Sequence, residues 1–144
     1  MIRVTSEPFD AANELRTFLA MAGEGAVASF VGIVRGSGGV EALTLDHYPG
    51  FTEKQIEALV EGLIHRHRLA SATVVHRFGS MKPGETIMFA ATAAPRRRAA
   101  LDALEELVEQ LKTEAPFWKK ELRGGAEHWL EPPHEANEMQ SQRA

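Results

Sequence analysis

The sequence contains no cysteine, and this absence limits its chemistry. It excludes disulfides, thiolate metal sites and a cysteine nucleophile. If a reaction of this protein involves sulfur, the sulfur must therefore arrive on another molecule.

Long apolar runs and a surplus of positive charge are also missing. No apolar run approaches the ~20 residues that span a bilayer. The first residues, MIRVTSEPFD, lack the apolar stretch of a secretory signal, so we expect a cytoplasmic protein. The net charge of −4 does not favour nucleic acid, so any positively charged site must be local.

The remaining composition is that of a soluble globular protein. Apolar residues make up 44% and charged residues 25% of the 144 residues, which suits one domain with one core. We expect this single domain to cover residues 1–130. The residues from Glu131 onward are polar and include Pro-Pro, so we expect a flexible tail over 131–144.

The spacing of apolar residues predicts an α+β fold, a mainly antiparallel sheet with packed helices. The first helix should be capped by Asp10 and should bury Leu19 with its other apolar residues. A capping box starting at Thr52 predicts the second helix. The last helix should hold Pro95 in its first turn and end near Thr113. Strands are predicted at residues 2–5, 26–34 (read as buried), 42–48, 72–78 and 86–93.

The stretch LKTEAPFWKKE, residues 111–121, combines positive charge with large apolar side chains. Lys112 alone has an ordinary explanation, because a cation at a helix C-terminus interacts favourably with the helix dipole. Together, Lys112 and Lys119 flank Pro116, and Phe117 and Trp118 can exclude water between them. Such lysines attract an anionic ligand more strongly. A lysine that is desolvated or crowded by cations also loses its proton more readily and can act as a base or nucleophile.

Arginines provide further candidates for an anion site. Arg96, Arg97 and Arg98 stand at the start of the last helix, where cations oppose the helix dipole but could help bind phosphate or carboxylate. Each could equally extend into solvent or pair with an acid, and at most one or two can face a shared site. Arg35 begins a short glycine-containing loop after a strand, where it is either a site residue or an exposed loop cation.

The histidines predict no metal site. His65 and His67 lie two positions apart on a predicted helix and do not share a face. His47 and His76 fall in predicted strands, where we expect structural roles. Neither a phosphate-binding Walker loop nor a nucleophile elbow is present. We therefore expect neither a metal nor a cofactor.

Several segments are similar to one known family. KTEAPFWKKE at 112–121 resembles the signature of the molybdopterin synthase catalytic (large) subunit, the MoaE family. The similarity continues in FVGIVRG at 30–36, LTLDHYPGFTEK at 43–54 and VVHRFGSMKPGE at 74–85. These segments follow the order of the family and together span roughly residues 26 to 121.

The resemblance implies a fold and an activity. MoaE-like proteins have an α+β fold with a β-hammerhead-like element. As sulfurtransferases of molybdenum cofactor biosynthesis, they convert cyclic pyranopterin monophosphate (precursor Z) into molybdopterin by installing two dithiolene sulfurs. The sulfur comes from the C-terminal Gly-Gly thiocarboxylate of a small ubiquitin-like subunit of the MoaD type. Two large subunits form a homodimer, and a small subunit at each outer end completes a heterotetramer.

The resemblance also implies roles for individual residues. Lys112 matches the main catalytic lysine, expected to give acid/base or covalent assistance at the thiocarboxylate carbonyl. Lys119 matches the second lysine, expected to orient substrate or donor tail. Arg35 and Arg96 match arginines expected to bind the pterin or its phosphate. The family commonly has histidine before the second arginine, but this chain has Pro95, so no histidine role carries over.

Two other functions remain open from the sequence. One is a non-catalytic dimeric scaffold that binds a ubiquitin-like protein tail through the same aromatic and lysine residues. The other is a regulatory domain that binds anions at its arginine turn without a protein partner. The Lys112→Ala variant separates catalysis from scaffolding, and calorimetry with a phosphate ligand tests the regulatory function.

Overall fold

The computed structural model describes residues 1–23 and 25–130, so the tail predicted over 131–144 lies outside the described residues. The helices are α1 (Ala11–Ala22), α2 (Phe51–His67) and α3 (Arg97–Thr113). The strands are β1 (Ile2–Thr5), β2 (Ala26–Ile33), β3 (Val40–His47), β4 (Ser71–Arg77), β5 (Gly79–Met81), β6 (Thr86–Ala94), β7 (Phe117–Arg123) and β8 (Ala126–Trp129). Within this part of the chain, no helix is long and apolar enough to cross a membrane.

In the part of the chain that the structure describes, the strands form two four-stranded sheets. Sheet A has the order β1-β4-β6-β2, and sheet B has the order β5-β3-β7-β8. Every pairing in them is antiparallel except that of β1 with β4. This architecture confirms the predicted α+β fold with mainly antiparallel sheets.

The main core lies between sheet A and helices α2 and α3. Val74 and Ala90 from the sheet pack with Leu63 of α2 and Leu107 of α3, and all four are fully buried. Removing a side chain such as Leu107 from this core would cost roughly 2–5 kcal/mol. A second cluster under α1 covers the opposite side of sheet A around Phe89. The rigid packing of α3 on sheet A fixes both ends of that helix.

The helix ends agree only in part with the sequence predictions. Asp10 caps α1 by accepting a hydrogen bond from the Ala12 N–H at 2.9 Å, as predicted. Leu19 was predicted to be buried on α1, but it is 50% exposed. The helix α3 ends at Thr113 as predicted, whereas Pro95 precedes the helix instead of occupying its first turn.

The start of α2 was also predicted incorrectly. The helix begins one residue before Thr52, and Gly50 is its N-cap. The Glu53 carboxylate accepts a hydrogen bond from the Gly50 backbone N–H. Thr52 lies inside the first turn and is fully buried. Its hydroxyl accepts a hydrogen bond from the Tyr48 backbone N–H at 2.9 Å, a contact made possible by the tight Pro49-Gly50 turn.

Strand β2 is an edge strand, which contradicts the prediction of a buried strand. In the described residues it hydrogen-bonds to β6 on one side only. Phe30, Val31 and Ile33 are 37%, 41% and 56% exposed. An apolar run has the same composition in a central strand and in an edge strand that another chain covers, so composition alone could not separate them.

The sequence prediction missed the strands of the C-terminal hairpin. Strands β7 and β8 are joined by Gly124 and Gly125, which both have positive φ angles, as a tight two-residue hairpin turn requires. The segment FWKKELR has weak strand propensity because it is rich in lysine and glutamate. Its pairing with β3, which lies far away in the sequence, makes it a strand.

Candidate active site

Two predicted catalytic residues lie on consecutive elements at one end of the molecule. Lys112 is in the last turn of α3, and Lys119 is the third residue of β7. The short connection turns at Pro116, after which β7 pairs with β3 and places Lys119 opposite the buried Leu45. The end of the helix and the start of the strand therefore bring both lysines to one region.

The surroundings of Lys119 lower the pKa of its amino group below the ordinary lysine value. Desolvation of the amino group is the main cause, and the positive charge of Lys112 is the second; Glu121 acts in the opposite direction. The residue as a whole remains exposed, so the desolvation is partial and comes from the groups around its amino nitrogen. Lys119 is therefore more readily deprotonated than an ordinary surface lysine.

A buried histidine lies beside this lysine. The His76 ring stacks on Phe117 with centroids 4.1 Å apart and planes at 17°. Its Nδ1 donates a hydrogen bond to the Arg77 carbonyl at 2.9 Å. Burial lowers the pKa of His76 to about 4; the hydrogen bond opposes this effect and the charge of Lys119 adds to it. The ring is therefore neutral at pH 7.

Sequence reasoning assigned His76 only a structural role. The available signal was its place in VVHRFG, where an ionisable residue interrupts an apolar strand just before a glycine. Such a residue stays buried only with a specific partner. The partner, Phe117, is 41 positions away in the sequence, so the contact could not be read from either segment.

The lysine-bearing segment is anchored from a second side by α2. The Thr52 hydroxyl donates a hydrogen bond to the Pro116 carbonyl at 3.3 Å while it accepts one from Tyr48. The Trp118 indole N–H donates to the Tyr48 hydroxyl. These bonds fix the turn between Lys112 and Lys119.

Arg35 lies at the same end of the molecule as the two lysines. It is exposed and follows Val34, which packs with Leu45 in a small core cluster that Phe117 also contacts. The backbone N–H of Val34 donates to the Glu85 carbonyl at 2.9 Å, which secures the end of the strand. Arg35 thus starts from a fixed position near the base of β7.

The other predicted arginines line an open pocket at the opposite end of α3. This pocket has a volume of about 610 Å³ and is lined by Gly25, Ala26, Pro95, Arg96, Arg97 and Arg98. Gly25 has φ +110°, and a Cβ there would lie 2.5 Å from the Ala94 carbonyl oxygen. Only glycine can pass so closely over the strand end, so Gly25 helps shape the pocket.

One chain cannot bring all the predicted residues together. Arg96 and Lys112 stand at opposite ends of α3, which at 1.5 Å per residue separates them by ~24 Å. Strand β2 packs beside α3, with Ala26 at the arginine pocket and Arg35 just beyond its other end. Lys112, Lys119 and Arg35 therefore share one end, and Arg96 lies at the other.

Over the described residues, no group of three or more histidine, aspartate or glutamate side chains is arranged to hold a metal ion. The chemistry available at the lysine end is instead that of amines near an aromatic wall. One amine can accept a proton and its neighbour can stabilise negative charge.

Comparison with known proteins decides the family. The family model described as MoaE protein matches residues 4–114. The chain belongs to the MoaE family. A relative named molybdopterin synthase catalytic subunit, from Cereibacter sphaeroides, is 45% identical over 131 residues, or 90% of each chain. A relative of the same name from Caulobacter vibrioides is 42% identical and covers 92% of this chain and 89% of its own.

The fold of this MoaE protein also matches a solved structure. The molybdopterin biosynthesis MoaE protein from Burkholderia ambifaria superimposes with a TM-score of 0.81 at 36% identity, covering 98% of this chain and 97% of the other. Pro95, which stands where the sequence resemblance led us to expect a histidine, lines the arginine pocket next to Arg96.

Proposed function

We propose that this chain is the catalytic subunit of a molybdopterin synthase and acts as a sulfurtransferase. It transfers sulfur from the C-terminal thiocarboxylate of a small ubiquitin-like subunit to cyclic pyranopterin monophosphate. The names of its relatives support this reaction. The observation that carries the proposal is the pairing of Lys119, whose pKa is lowered, with the cation of Lys112.

The chemistry requires both a proton acceptor and a stabilising cation. The thiocarboxylate sulfur attacks a substrate carbon and forms a C–S bond while a C–O bond at that carbon breaks, its oxygen leaving on the phosphate or, after protonation, as water. This gives an acyl-sulfur intermediate. Water then attacks the acyl carbon and loses a proton, the acyl C–S bond breaks, and sulfur remains on the pterin as thiolate. The tail leaves as a carboxylate. A second thiocarboxylate delivers the second sulfur.

We assign Lys119 to accept the proton and Lys112 to stabilise the tetrahedral oxyanion. The lowered pKa of Lys119 favours this assignment, which moves the acid/base role from Lys112, where the sequence resemblance put it, to Lys119. A lower pKa makes the deprotonated, basic form of the amine easier to reach, and removing an oxyanion stabiliser typically slows a reaction by about 10²–10³. The assignment uses only residues that the fold already places together.

The partner is a small subunit that offers an anionic, extended tail. The relatives are each named as a catalytic subunit, and that name implies at least one other subunit. Lys112, Lys119 and Arg35 form the cationic end of the chain to which a thiocarboxylate would be drawn. The net charge of −4 confines that attraction to this end.

Self-association explains the distant position of Arg96. An edge strand with exposed apolar residues is ready to pair with another chain. If β2 pairs antiparallel with β2 of a second copy, the Arg35 end of one strand meets the Ala26 end of the other. Arg96 of the second copy then approaches the lysine end, where it can bind the substrate phosphate. One homodimer would contain two such sites, each with a small subunit in the heterotetramer.

Reconstitution tests the reaction. The protein is combined with thiocarboxylated partner and precursor, and the products are followed by mass spectrometry. We expect Lys112→Ala to lose at least about a hundredfold in rate and Lys112→Arg to retain much of it, because arginine keeps the charge. Lys119→Arg should be as impaired as Lys119→Ala, because guanidinium does not deprotonate. Lys54→Ala, at an exposed lysine of α2, is the matched control.

Two outcomes would contradict the proposal. If sulfur transfer survives in Lys112→Ala while the partner still binds, the catalytic assignment of Lys112 is wrong. If Lys119→Arg is fully active, Lys119 is not the base.

The dimer is tested separately by sedimentation. We expect Ile33→Glu to give monomers, because it places a charge in the proposed apolar contact. Leu19→Glu, at an equally exposed leucine on α1, should leave the dimer intact. A dimeric Ile33→Glu protein would exclude β2 as the contact.

A further inference from the structure

The most unusual buried group that the proposed reaction leaves unused is the imidazole of His76. It is 8% exposed and lies near the end of β4. Its register neighbours in sheet A, Val4 and Met88, are both apolar. Within the described part of the chain, the ring makes one hydrogen bond, to the Arg77 carbonyl, and one aromatic contact, with Phe117.

The hydrogen bond determines both the tautomer and the orientation of the ring. A carbonyl only accepts hydrogen bonds, so Nδ1 of His76 carries the proton. The ring cannot rotate without breaking this buried bond and leaving the carbonyl without its partner. The stacked face therefore stays in place as a flat surface for Phe117.

Phe117 connects this surface to the site. It is the first residue of β7, two positions before Lys119, and side chains two apart on a strand point to the same face. The backbone of β7 is meanwhile fixed by its pairing with β3, where Phe117 lies opposite His47. The position of the Phe117 ring thus limits where the Lys119 side chain can go.

We propose that His76 is a positioning residue for Lys119, holding Phe117 so that the amino group of Lys119 stays in a partly dry position beside Lys112. This inference rests on the proposed function, since it concerns the same lysine. It differs from that function in one respect: a residue on sheet A controls the environment of a residue on sheet B.

The charges around Lys119 make a neutral ring at position 76 important. Three elements contribute a titratable group: Lys112 from α3, Glu121 from β7 and His76 from β4. A protonated imidazole would add a second neighbouring cation and disturb the lysine further. Because burial keeps His76 neutral, the ring supplies packing without charge.

The test measures the protonation of Lys119 directly. The lysines are methylated with ¹³C-formaldehyde and titrated by NMR, and the Lys119 signal is identified by its absence in Lys119→Arg. The variants are His76→Phe, which keeps a flat ring, and His76→Leu, which fills the space without one. Phe117→Leu removes the other half of the stack, and His65→Leu, at an exposed histidine on α2, is the matched control.

We expect loss of either ring to change Lys119 and the reaction together. In His76→Leu and Phe117→Leu, the pKa of Lys119 should rise toward the ordinary lysine value. Their kcat for sulfur transfer should fall about tenfold or more, with partner affinity unchanged, because small displacements of a reacting group are costly. His65→Leu should stay within about twofold of the parent protein. His76→Phe keeps the stacked ring but loses its hydrogen bond to the Arg77 carbonyl, so it should lie between the parent protein and His76→Leu.

The possible failures are distinguishable. If His76→Leu fails to fold, Phe117→Leu alone decides the matter. An unchanged Lys119 pKa in a folded variant that lacks the stack overturns the positioning role, whatever the activity. If the pKa rises as expected but sulfur transfer keeps its rate, His76 does position Lys119 and the proposed catalytic role of Lys119 is wrong.

Discussion

Acid should destabilise this protein through His76, and the size of the effect follows from its burial. The pKa of His76 is lowered from 6.5 to about 4. Well above pH 6.5, the imidazole of His76 is neutral in both the folded and the unfolded chain. In that range His76 contributes no pH dependence to the free energy of unfolding. As pH falls below 6.5, the unfolded chain binds a proton that the folded chain accepts only near pH 4, so the free energy of unfolding decreases.

The expected magnitude is about 2 kcal/mol between pH 7 and pH 5. One pKa unit corresponds to about 1.4 kcal/mol, and most of the interval between the two pKa values has been crossed at pH 5. The assay is urea unfolding at half-unit pH steps for the parent protein and for His76→Phe, which cannot titrate. Carboxylates and other histidines contribute to both curves, so their effects cancel in the difference.

The difference between the two proteins should therefore grow by about 2 kcal/mol as pH falls to 5, and most of the remaining change should end near pH 4. His65→Phe should follow the parent protein, since this histidine is exposed on α2. If parent and His76→Phe curves remained parallel down to pH 4.5, His76 would titrate normally in the folded protein, and the reasoning about its burial would be wrong.

Three further substitutions test other parts of the structure. Thr52→Val should lower the free energy of unfolding by about 2–3 kcal/mol in urea titrations, because the Tyr48 N–H and the Pro116 carbonyl lose their partner. Gly25→Ala should lower the thermal midpoint and reshape the arginine pocket, because its Cβ would meet the strand end. Arg96→Ala should weaken binding of the phosphorylated pterin about tenfold in calorimetry, because one charged hydrogen bond is lost.

Each substitution has a matched control. Thr113→Val removes an exposed hydroxyl bonded within α3 and should change stability little. Gly23 also has a positive φ angle but has open space for a Cβ, so Gly23→Ala should cost less than Gly25→Ala. Arg16→Ala, at an exposed position of α1, should leave pterin affinity unchanged. If a variant and its control had equal effects, the explanation given for that site would be wrong.

Local sequence was sufficient where short-range energetics decide the structure. Asp10 can cap α1 through its own side chain, and Pro116 disfavours continuation of α3, so both helix limits were predictable. The family was also recognisable, since its motifs are contiguous. The predicted start of α2 was wrong because Glu53, rather than Thr52, supplies the capping contact.

Prediction failed where distant segments decide the structure. The residues of β7 become a strand only because β3 offers an edge, and Leu19 is exposed because the face of α1 that packs on sheet A carries Leu15 and Phe18 instead. The same applies to β2, whose apolar side chains resemble those of a central strand. In each case the burial or pairing of the segment depends on another part of the structure, which the local sequence pattern does not contain.

The sequence by itself determined which chemical groups the protein has. It contains no thiol, but it has a pair of lysines around a proline, arginines at a helix start, and the MoaE motifs. Tertiary structure alone decided which of these groups lie close together and which lie far apart. It placed His76 under Phe117, brought Lys112 beside Lys119, and separated Arg96 from both by the length of α3. The physical reason is that side-chain type is a local property, whereas desolvation and charge proximity depend on what the folded chain packs around each group.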